Sequence, residues 1–156
     1  MAKALGISDE EMSKYIAENH ITCPSCGRPL SRDDEGAGAA VRCTYVGCPA
    51  QKARGIIHFA SKGAMNIDGL GPQIVELLLD KDLIHDFADL YSLKVEEIAE
   101  LDRMGKKSAE NLVSAIESSK KAGLERLLYA LGIRNIGEVA AAALAARYGT
   151  LVACFD

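Results

Sequence analysis

The chain has 156 residues, of which 49% are hydrophobic and 26% are charged, and this composition is typical of a folded protein and not of a disordered one. No apolar run approaches the roughly 18 residues of a membrane helix, and no basic-then-apolar leader opens the chain, so we expect a cytoplasmic protein without a membrane partner. Five cysteines without a secretory signal argue against a disulfide framework.

The formal charge of −4 is unevenly distributed along the chain. Residues 20–62 carry six basic and three acidic side chains, residues 101–148 carry eight and five, and residues 63–100 carry two and nine. Local basic surface governs contact with phosphates more than net charge does. Charge alone leaves nucleic-acid binding and chance variation of solvated helix faces as two open alternatives.

The chain begins with a predicted short helix. Ser8-Asp9-Glu10-Glu11 has the form of a capping box, and apolar residues follow at helical spacing, which predicts a helix over 9–18. We treat residues 1–21 as an N-terminal helical segment to which we assign no role. From Thr22 to about Pro49, Cys, Pro, Gly and Arg dominate with little periodicity, which predicts short strands and turns.

Four of the five cysteines form two closely spaced pairs, Cys23 with Cys26 and Cys43 with Cys48. Two such pairs supply four thiolates to one tetrahedral ion, and Gly27 allows the backbone to point amide N–H groups at the sulfurs. Four protein ligands leave no open position for water, so the site is structural. We expect one zinc per chain, with an iron–sulfur centre and redox-active or disulfide cysteines as alternatives. Cys154 stands apart and is interpreted as an apolar packing residue.

Arginines surround these cysteines, among them Arg28, Arg42 and Arg54. They are candidates for contacts with DNA phosphates. The alternative is that they screen the negative charge of a four-thiolate site.

After Ala50, apolar residues recur at three and four spacing and predict helices at 50–61, 72–80, 86–91, 94–101, 106–121, 124–131 and 137–147. Three breaks between these helices repeat one form, an apolar residue beside glycine. They are Gly69-Leu70-Gly71, Arg103-Met104-Gly105 and Asn135-Ile136-Gly137. Their recurrence about every 30–35 residues predicts a repeated helix-turn-helix unit.

A glycine-flanked turn that leads into a helix exposes unpaired N–H groups at the positive end of the helix dipole, where a phosphate oxygen can bind. The candidate DNA contacts are Gly69 and Gly71 in the first hairpin, Gly105, Lys106, Lys107 and Ser108 in the second, and Arg134, Asn135 and Gly137 in the third. Backbone amides contact phosphates and not bases, so the predicted binding is indifferent to sequence. Asp68 and Glu76 lie beside the first hairpin, so a purely structural turn stays open as its alternative.

These motifs together resemble bacterial NAD-dependent DNA ligases. The matching segments are Cys23-Pro-Ser-Cys26-Gly27-Arg28-Pro29-Leu30, Cys48-Pro49-Ala50-Gln51, His58 through Gly71, Met104 through Leu112 and Ala130 through Gly137. The resemblance runs from about residue 22 to 156. It implies a mostly α fold with a four-cysteine zinc finger at 22–50, followed by a helix-hairpin-helix repeat domain at 51–156 that is truncated before a fourth motif.

The resemblance also implies a function. Such a segment grips duplex DNA without sequence specificity, and we expect that DNA to be nicked. Its other partners are the remaining domains of a ligase that seals nicks in replication and repair. We expect the adenylation domain with its NAD site, the oligonucleotide-binding fold and the breast-cancer-protein-type C-terminal domain to lie outside this chain. Arg103 departs from the family pattern, because it stands where the family has the first hairpin glycine.

No catalytic residue is predicted in this chain. Asn66-Ile67-Asp68-Gly69 looks like the family's Lys-x-Asp-Gly nucleophile motif, but an asparagine amide cannot attack a phosphorus atom as a lysine amine does. We therefore expect the chain to be inactive alone, with NAD bound only by the catalytic domain. A function of another class is the alternative: a protein-interaction module whose hairpins dock a partner domain, which the acidic segment 63–100 favours.

Overall fold

A computed structural model describes residues 8, 10–11, 14–15, 21–32 and 41–155. The chain folds as two compact units, Met1–Lys52 and Ala53–Asp156. The predicted division into segments 1–21, 22–50 and 51–156 stays a prediction. Among the described residues, no helix is both long enough and apolar enough to cross a bilayer.

The first unit opens with the predicted capping box. The backbone N–H of Glu11 donates to Ser8 Oγ at 3.2 Å, and the N–H of Ser8 donates to a Glu11 carboxylate oxygen at 2.8 Å. These bonds lower the pKa of the Glu11 carboxyl group, with the backbone bond from Ser8 as the main cause. Residues 10, 11, 14 and 15 are helical, and the other residues of the predicted helix over 9–18 lie outside the described part of the chain.

The cysteine-rich segment contains the predicted short strands and turns. Strand β1 (Ser31–Arg32) pairs antiparallel with β2 (Val41–Arg42), and Thr22 forms an isolated bridge with Pro29. These short pairings hold few apolar side chains. Organisation of this segment therefore depends on the cysteines that flank the strands.

The described part of the second unit is helical, apart from its turns. In chain order the helices are α1 (Pro49–Ala60), which begins in the first unit, α2 (Pro72–Asp80), α3 (Val95–Ala99), α4 (Lys106–Ser119), α5 (Leu124–Ala130), α6 (Glu138–Tyr148) and α7 (Leu151–Phe155). The first six match predicted helices to within two residues at each end. The fold class predicted from sequence is therefore confirmed: the protein is mostly α-helical.

Two elements differ from the prediction. The helix predicted at 86–91 is a 3-10 helix at Asp89–Ser92, because the Asp86 carboxylate accepts the backbone N–H groups of Ala88 and Asp89 in a competing local turn. Helix α7 was not predicted. Gly149 ends α6 in the left-handed conformation, and Thr150 Oγ1 then accepts the N–H of Ala153 at the start of α7.

An apolar core within the second unit fixes the loops between these helices. Phe59 of α1 is 1% exposed, stacks on Phe87 with ring centroids 4.8 Å apart, and meets Tyr91 edge to face at 6.4 Å. The aliphatic members of the core include Ile56, Val75, Leu78, Ile84, Leu90, Ile98, Leu112 and Ile116. Residues from α1 to α4 thus share one core, which holds the turns between them in place.

Candidate functional site

The four paired cysteines lie together in the first unit. All four Sγ atoms lie within 4.8 Å of one another, with Cys23 and Cys48 at 3.8 Å and Cys26 and Cys43 at 3.5 Å. A tetrahedral ion with metal–sulfur bonds of about 2.3 Å requires its sulfurs to be roughly 3.8 Å apart. The donor set therefore fits one ion held by four sulfurs. All five cysteines are free thiols, so the pairs are not disulfides.

Backbone geometry directs amide groups at these sulfurs. Gly27 has a φ of +70°, and its N–H donates to the carbonyl oxygen of Cys23 at 2.8 Å, which closes the first turn. The N–H of Arg28 points at the Cys26 sulfur, and the N–H groups of Gln51 and Ala50 point at Cys48. Such donors stabilise the thiolate form, which is the metal-binding form of cysteine.

The thiols do not ionise equally. The N–H of Gln51, as the main cause, lowers the pKa of Cys48 to about 6. At Cys26 the N–H of Arg28 lowers the pKa, but burial and the neighbouring thiols outweigh it and raise the pKa to about 12. Several thiolates this close repel one another, so full ionisation of the cluster requires a bound cation.

This cluster has no counterpart elsewhere in the described residues, where no other group of three or more His, Cys, Asp or Glu side chains is placed to hold an ion. A cluster of several irons distributes its thiolates over different metal atoms and spaces them widely. The mutual proximity of all four sulfurs therefore favours a single ion. Cys154 lies half-buried in α7, and its packing role stays a prediction.

The three glycine-containing breaks in the second unit have the same backbone geometry. We call residues 67–71 turn 1, residues 101–105 turn 2 and residues 133–137 turn 3. The third residue of each turn has a positive φ: 86° at Gly69, 67° at Arg103 and 66° at Asn135. The next N–H donates to the carbonyl oxygen three residues earlier, from Leu70 to Ile67, from Met104 to Leu101 and from Ile136 to Ile133. A positive φ at the third position is a property of type II turns.

Each turn ends in a glycine that caps the following helix. Gly71, Gly105 and Gly137 have φ between −85° and −89° with extended ψ, and their carbonyl oxygens accept the N–H groups of Val75, Ala109 and Ala141. A Cβ added to any of the three would meet no atom within 4 Å. Neither backbone strain nor internal packing therefore requires glycine here. What glycine provides is bare main chain at the exposed start of a helix.

The turns differ in charge. Directly after turn 2, Lys106, Lys107 and Ser108 begin α4, and their side chains are exposed. In turn 3, Arg134 and Asn135 are exposed, and Glu138 begins α6 with its carboxylate against Gly63, where a Cβ would lie 3.0 Å from Oε1. Turn 1 holds the exposed Asp68 and no basic residue. Asp68 lines an open groove of about 550 Å³ with Ser108 and Asn111 of α4.

The predicted arginine contacts are exposed as well. Arg42 lies in β2 and Arg54 in α1, and the Arg28 guanidinium carbon lies 3.9 Å above the centre of the Tyr45 ring. Sequence reasoning missed Tyr45. The signal was present, since an aromatic residue two positions after one ligand cysteine and three before the next is placed to border a metal site.

Two family models match the second unit, and curated relatives match most of the chain. Residues 62–118 match the SAM-like helix-hairpin-helix tandem and residues 126–154 match the helix-hairpin-helix motif. The DNA ligase of Carboxydothermus hydrogenoformans is 59% identical over 131 residues, which cover 83% of this chain and 19% of that protein. The DNA ligase of Heliobacterium modesticaldum is 55% identical over 130 residues, with coverages of 83% and 19%. That of Levilactobacillus brevis is 49% identical over 152 residues, with coverages of 90% and 22%.

The chain spans about one fifth of the length of these ligases. This chain also holds both helix-hairpin-helix matches, and its four-cysteine cluster has the spacing on which the resemblance depends. The chain, which combines a four-cysteine cluster with helix-hairpin-helix motifs, is thus a homologue of one segment of these DNA ligases.

Proposed function

We propose that this chain binds the backbone of duplex DNA without sequence preference, as the DNA-gripping segment of an NAD-dependent ligase that seals nicks in replication and repair. The observation that carries the proposal is the shared geometry of turns 1, 2 and 3. Each combines a left-handed third residue, an apolar fourth residue and an open glycine at the start of a helix.

The open glycines give this geometry its binding chemistry. The first N–H groups of a helix have no partner within the helix and lie at the positive end of its dipole. A phosphate oxygen that approaches bare main chain can accept these N–H groups directly. Because phosphates are alike along DNA, three such turns grip the backbone without reading bases.

Turns 2 and 3 are proposed as the principal phosphate contacts. At turn 2 the contacts are Gly105, the last residue of the turn, and the first three residues of α4. These are Lys106, Lys107 and Ser108, which add two cations and a hydroxyl donor to the amides of α4. In turn 3 they are Arg134, Asn135 and Gly137. Turn 1, with Gly69 and Gly71, contributes least, because the Asp68 carboxylate repels a phosphate.

We further propose that the four cysteines hold one zinc ion per chain. When bound, zinc supplies a structural cross-link between the two cysteine turns, and it leaves no open coordination position for chemistry. The protein's own part is to keep the thiolates ionised, through the amide donors of Arg28, Ala50 and Gln51. Arg28 and Arg42 then present cations to the phosphates from the cysteine-rich segment, and Arg54 presents one from α1.

Salt-dependent binding tests the proposal. The purified 156-residue chain is titrated into fluorescein-labelled nicked duplex, and anisotropy is read at several salt concentrations. We expect a Kd in the micromolar range or weaker at moderate salt. The logarithm of affinity falls linearly with the logarithm of salt, by about 0.9 for each phosphate neutralised. An unlabelled duplex of scrambled sequence competes equally. A DNA affinity that does not change with salt concentration, or no binding at low salt, contradicts the proposal.

A second candidate function is a protein-interaction module whose hairpins dock a partner domain. The nine acidic and two basic side chains of residues 63–100 favour it, since such a surface repels DNA. The two functions differ in what the open glycines do. Under the second candidate, bulky residues at Gly105 and Gly137 leave DNA affinity unchanged.

A further inference from the structure

The Arg28 guanidinium stacks on the Tyr45 ring in the cysteine-rich segment. The guanidinium carbon lies 3.9 Å from the ring centre, which is a cation–π contact at close range. Arg28 follows the turn that carries Cys23 and Cys26, whereas Tyr45 lies between Cys43 and Cys48. The stack therefore joins the two cysteine turns on their outer surface, where Tyr45 is 39% exposed and Arg28 is exposed.

The absence of a side chain at Gly47 leaves room for the Tyr45 ring. A Cβ placed on Gly47 would lie 2.7 Å from both Cζ and the hydroxyl oxygen of Tyr45, which is too close for any real contact. The N–H of Cys48 also donates to the carbonyl oxygen of Tyr45 at 3.0 Å and closes the turn under the ring. The Tyr45 ring thus occupies the space that a side chain at position 47 would need, and its face also contacts Arg28.

The stacked arginine keeps its hydrogen-bonding capacity. Stacking uses the face of the guanidinium plane, while its N–H donors point outward in that plane. No carboxylate oxygen of the described residues lies within 4.0 Å of the Arg28 guanidinium nitrogens, so none of these carboxylates neutralises its charge. A planar cation with a fixed orientation and unused donors suits a phosphate, which accepts two parallel N–H groups.

We propose that Tyr45 is a positioning residue for Arg28, and that the Arg28–Tyr45 stack presents the guanidinium edge to a phosphate of bound DNA. The inference rests on the proposed DNA-binding function. Tyr45 itself makes no contact with DNA in this account. Its contribution is to restrict Arg28 before binding, so that less side-chain freedom is lost when the phosphate is engaged.

A double-mutant cycle on the full chain tests the proposal, with the anisotropy of nicked duplex at low salt as the readout. Arg28→Ala removes the cation, Tyr45→Leu removes the ring, and a third chain carries both changes. We expect Tyr45→Leu to weaken binding about two- to five-fold, the range that corresponds to one exposed cation–π contact. In the Arg28→Ala background the same change has no effect. Arg28→Ala also lowers the salt slope by about 0.9.

Three further variants separate positioning from other roles. Tyr45→Phe keeps an aromatic face and restores wild-type affinity. Gly47→Ala leaves Arg28 and Tyr45 unsubstituted, but its Cβ displaces the Tyr45 ring. It therefore reproduces the loss of DNA affinity seen with Tyr45→Leu. Arg28→Lys keeps the charge but not the planar fork, and it also binds more weakly than wild type. Metal content is measured for each variant, and only chains that keep one ion each enter the comparison.

The outcomes distinguish this inference from the function on which it rests. If the wild-type chain binds no DNA, both fail. If the wild type binds but Arg28→Ala or Gly47→Ala binds equally well, the positioning role fails and the proposed function stands. A Tyr45→Leu effect that persists in the Arg28→Ala background means that the ring touches DNA directly, which also overturns the inference.

Discussion

His58 Nε2 lies 2.9 Å from the backbone carbonyl oxygen of Tyr129, and the two rings meet edge to face with centroids 4.9 Å apart. A carbonyl oxygen can only accept, so Nε2 is the protonated donor nitrogen. A Cβ on Gly132 would lie 3.5 Å from the His58 ring. His58 thus ties the end of α1 to the segment that leads into turn 3.

We expect His58→Phe to lower the free energy of unfolding by about 0.5–1.5 kcal/mol, the net value of one hydrogen bond. The loss is modest because the Tyr129 carbonyl keeps the N–H of Gly132 as a donor at 3.0 Å. Thermal unfolding measures the effect. Tyr129→Phe is the control, since it keeps both the carbonyl and the ring contact and should be close to wild type. Equal stability of His58→Phe and wild type would show that the hydrogen bond contributes nothing.

Metal removal is expected to unfold the cysteine-rich segment while the helical unit persists. Metal analysis of the purified chain should give one zinc, and Cys48→Ser should give none, because three thiolates hold the ion far less tightly. Ligation by four thiolates supplies roughly 10 kcal/mol or more of apparent binding free energy, which this small segment lacks otherwise. Cys154→Ser is the matched control and should keep its zinc. Iron in place of zinc, or metal loss from Cys154→Ser, contradicts the prediction.

Bulky residues at the open glycines test the phosphate contacts. Gly105→Leu and Gly137→Leu each place a side chain where the phosphate must approach, and we expect DNA affinity to fall about ten-fold or more, equivalent to roughly 1.4 kcal/mol. Because the positions are open and have negative φ, the fold should tolerate both. Ala143→Leu adds comparable bulk to an exposed position of α6 and serves as the control. Gly71→Leu should change binding least.

If all three glycine variants bind DNA as tightly as wild type, the turns are not the contacts and the protein-interaction function is favoured. A loss at Gly71 as large as at Gly105 would show instead that turn 1 binds DNA despite Asp68.

We expect Arg103→Gly to raise the stability of the fold while it weakens DNA binding. Arg103 holds a φ of 67°, a conformation that costs most L-residues about 1–2 kcal/mol and glycine almost nothing. We therefore expect chemical denaturation to show a stability gain of up to about 1 kcal/mol, reduced by the greater freedom of glycine in the unfolded chain. DNA affinity should decrease, since turn 2 loses a cation. Asn135→Gly is the comparison and gains less, because Asn tolerates a positive φ.

Local sequence patterns were sufficient for much of this protein. Two closely spaced cysteine pairs predict a four-thiolate site, because two cysteines a few residues apart can bind the same metal ion. Apolar periodicity places six helices to within two residues, since each presents one face to a core. The α-helix predicted at 86–91 was wrong, because the Asp86 carboxylate accepts two backbone N–H groups that a helix would use. Helix α7 was not predicted, because five residues are too few to show a helical period of apolar residues.

The sequence by itself determined the candidate ligands, the repeat and the family, because each depends on residues near one another in the chain. Only the tertiary structure showed that Arg103 adopts the same left-handed conformation as Gly69, since the surrounding turn overrides the residue's own preference. It alone placed Tyr45 over Gly47 and beneath Arg28. That contact joins residues seventeen positions apart through the fold around the cysteines, and no local pattern encodes it.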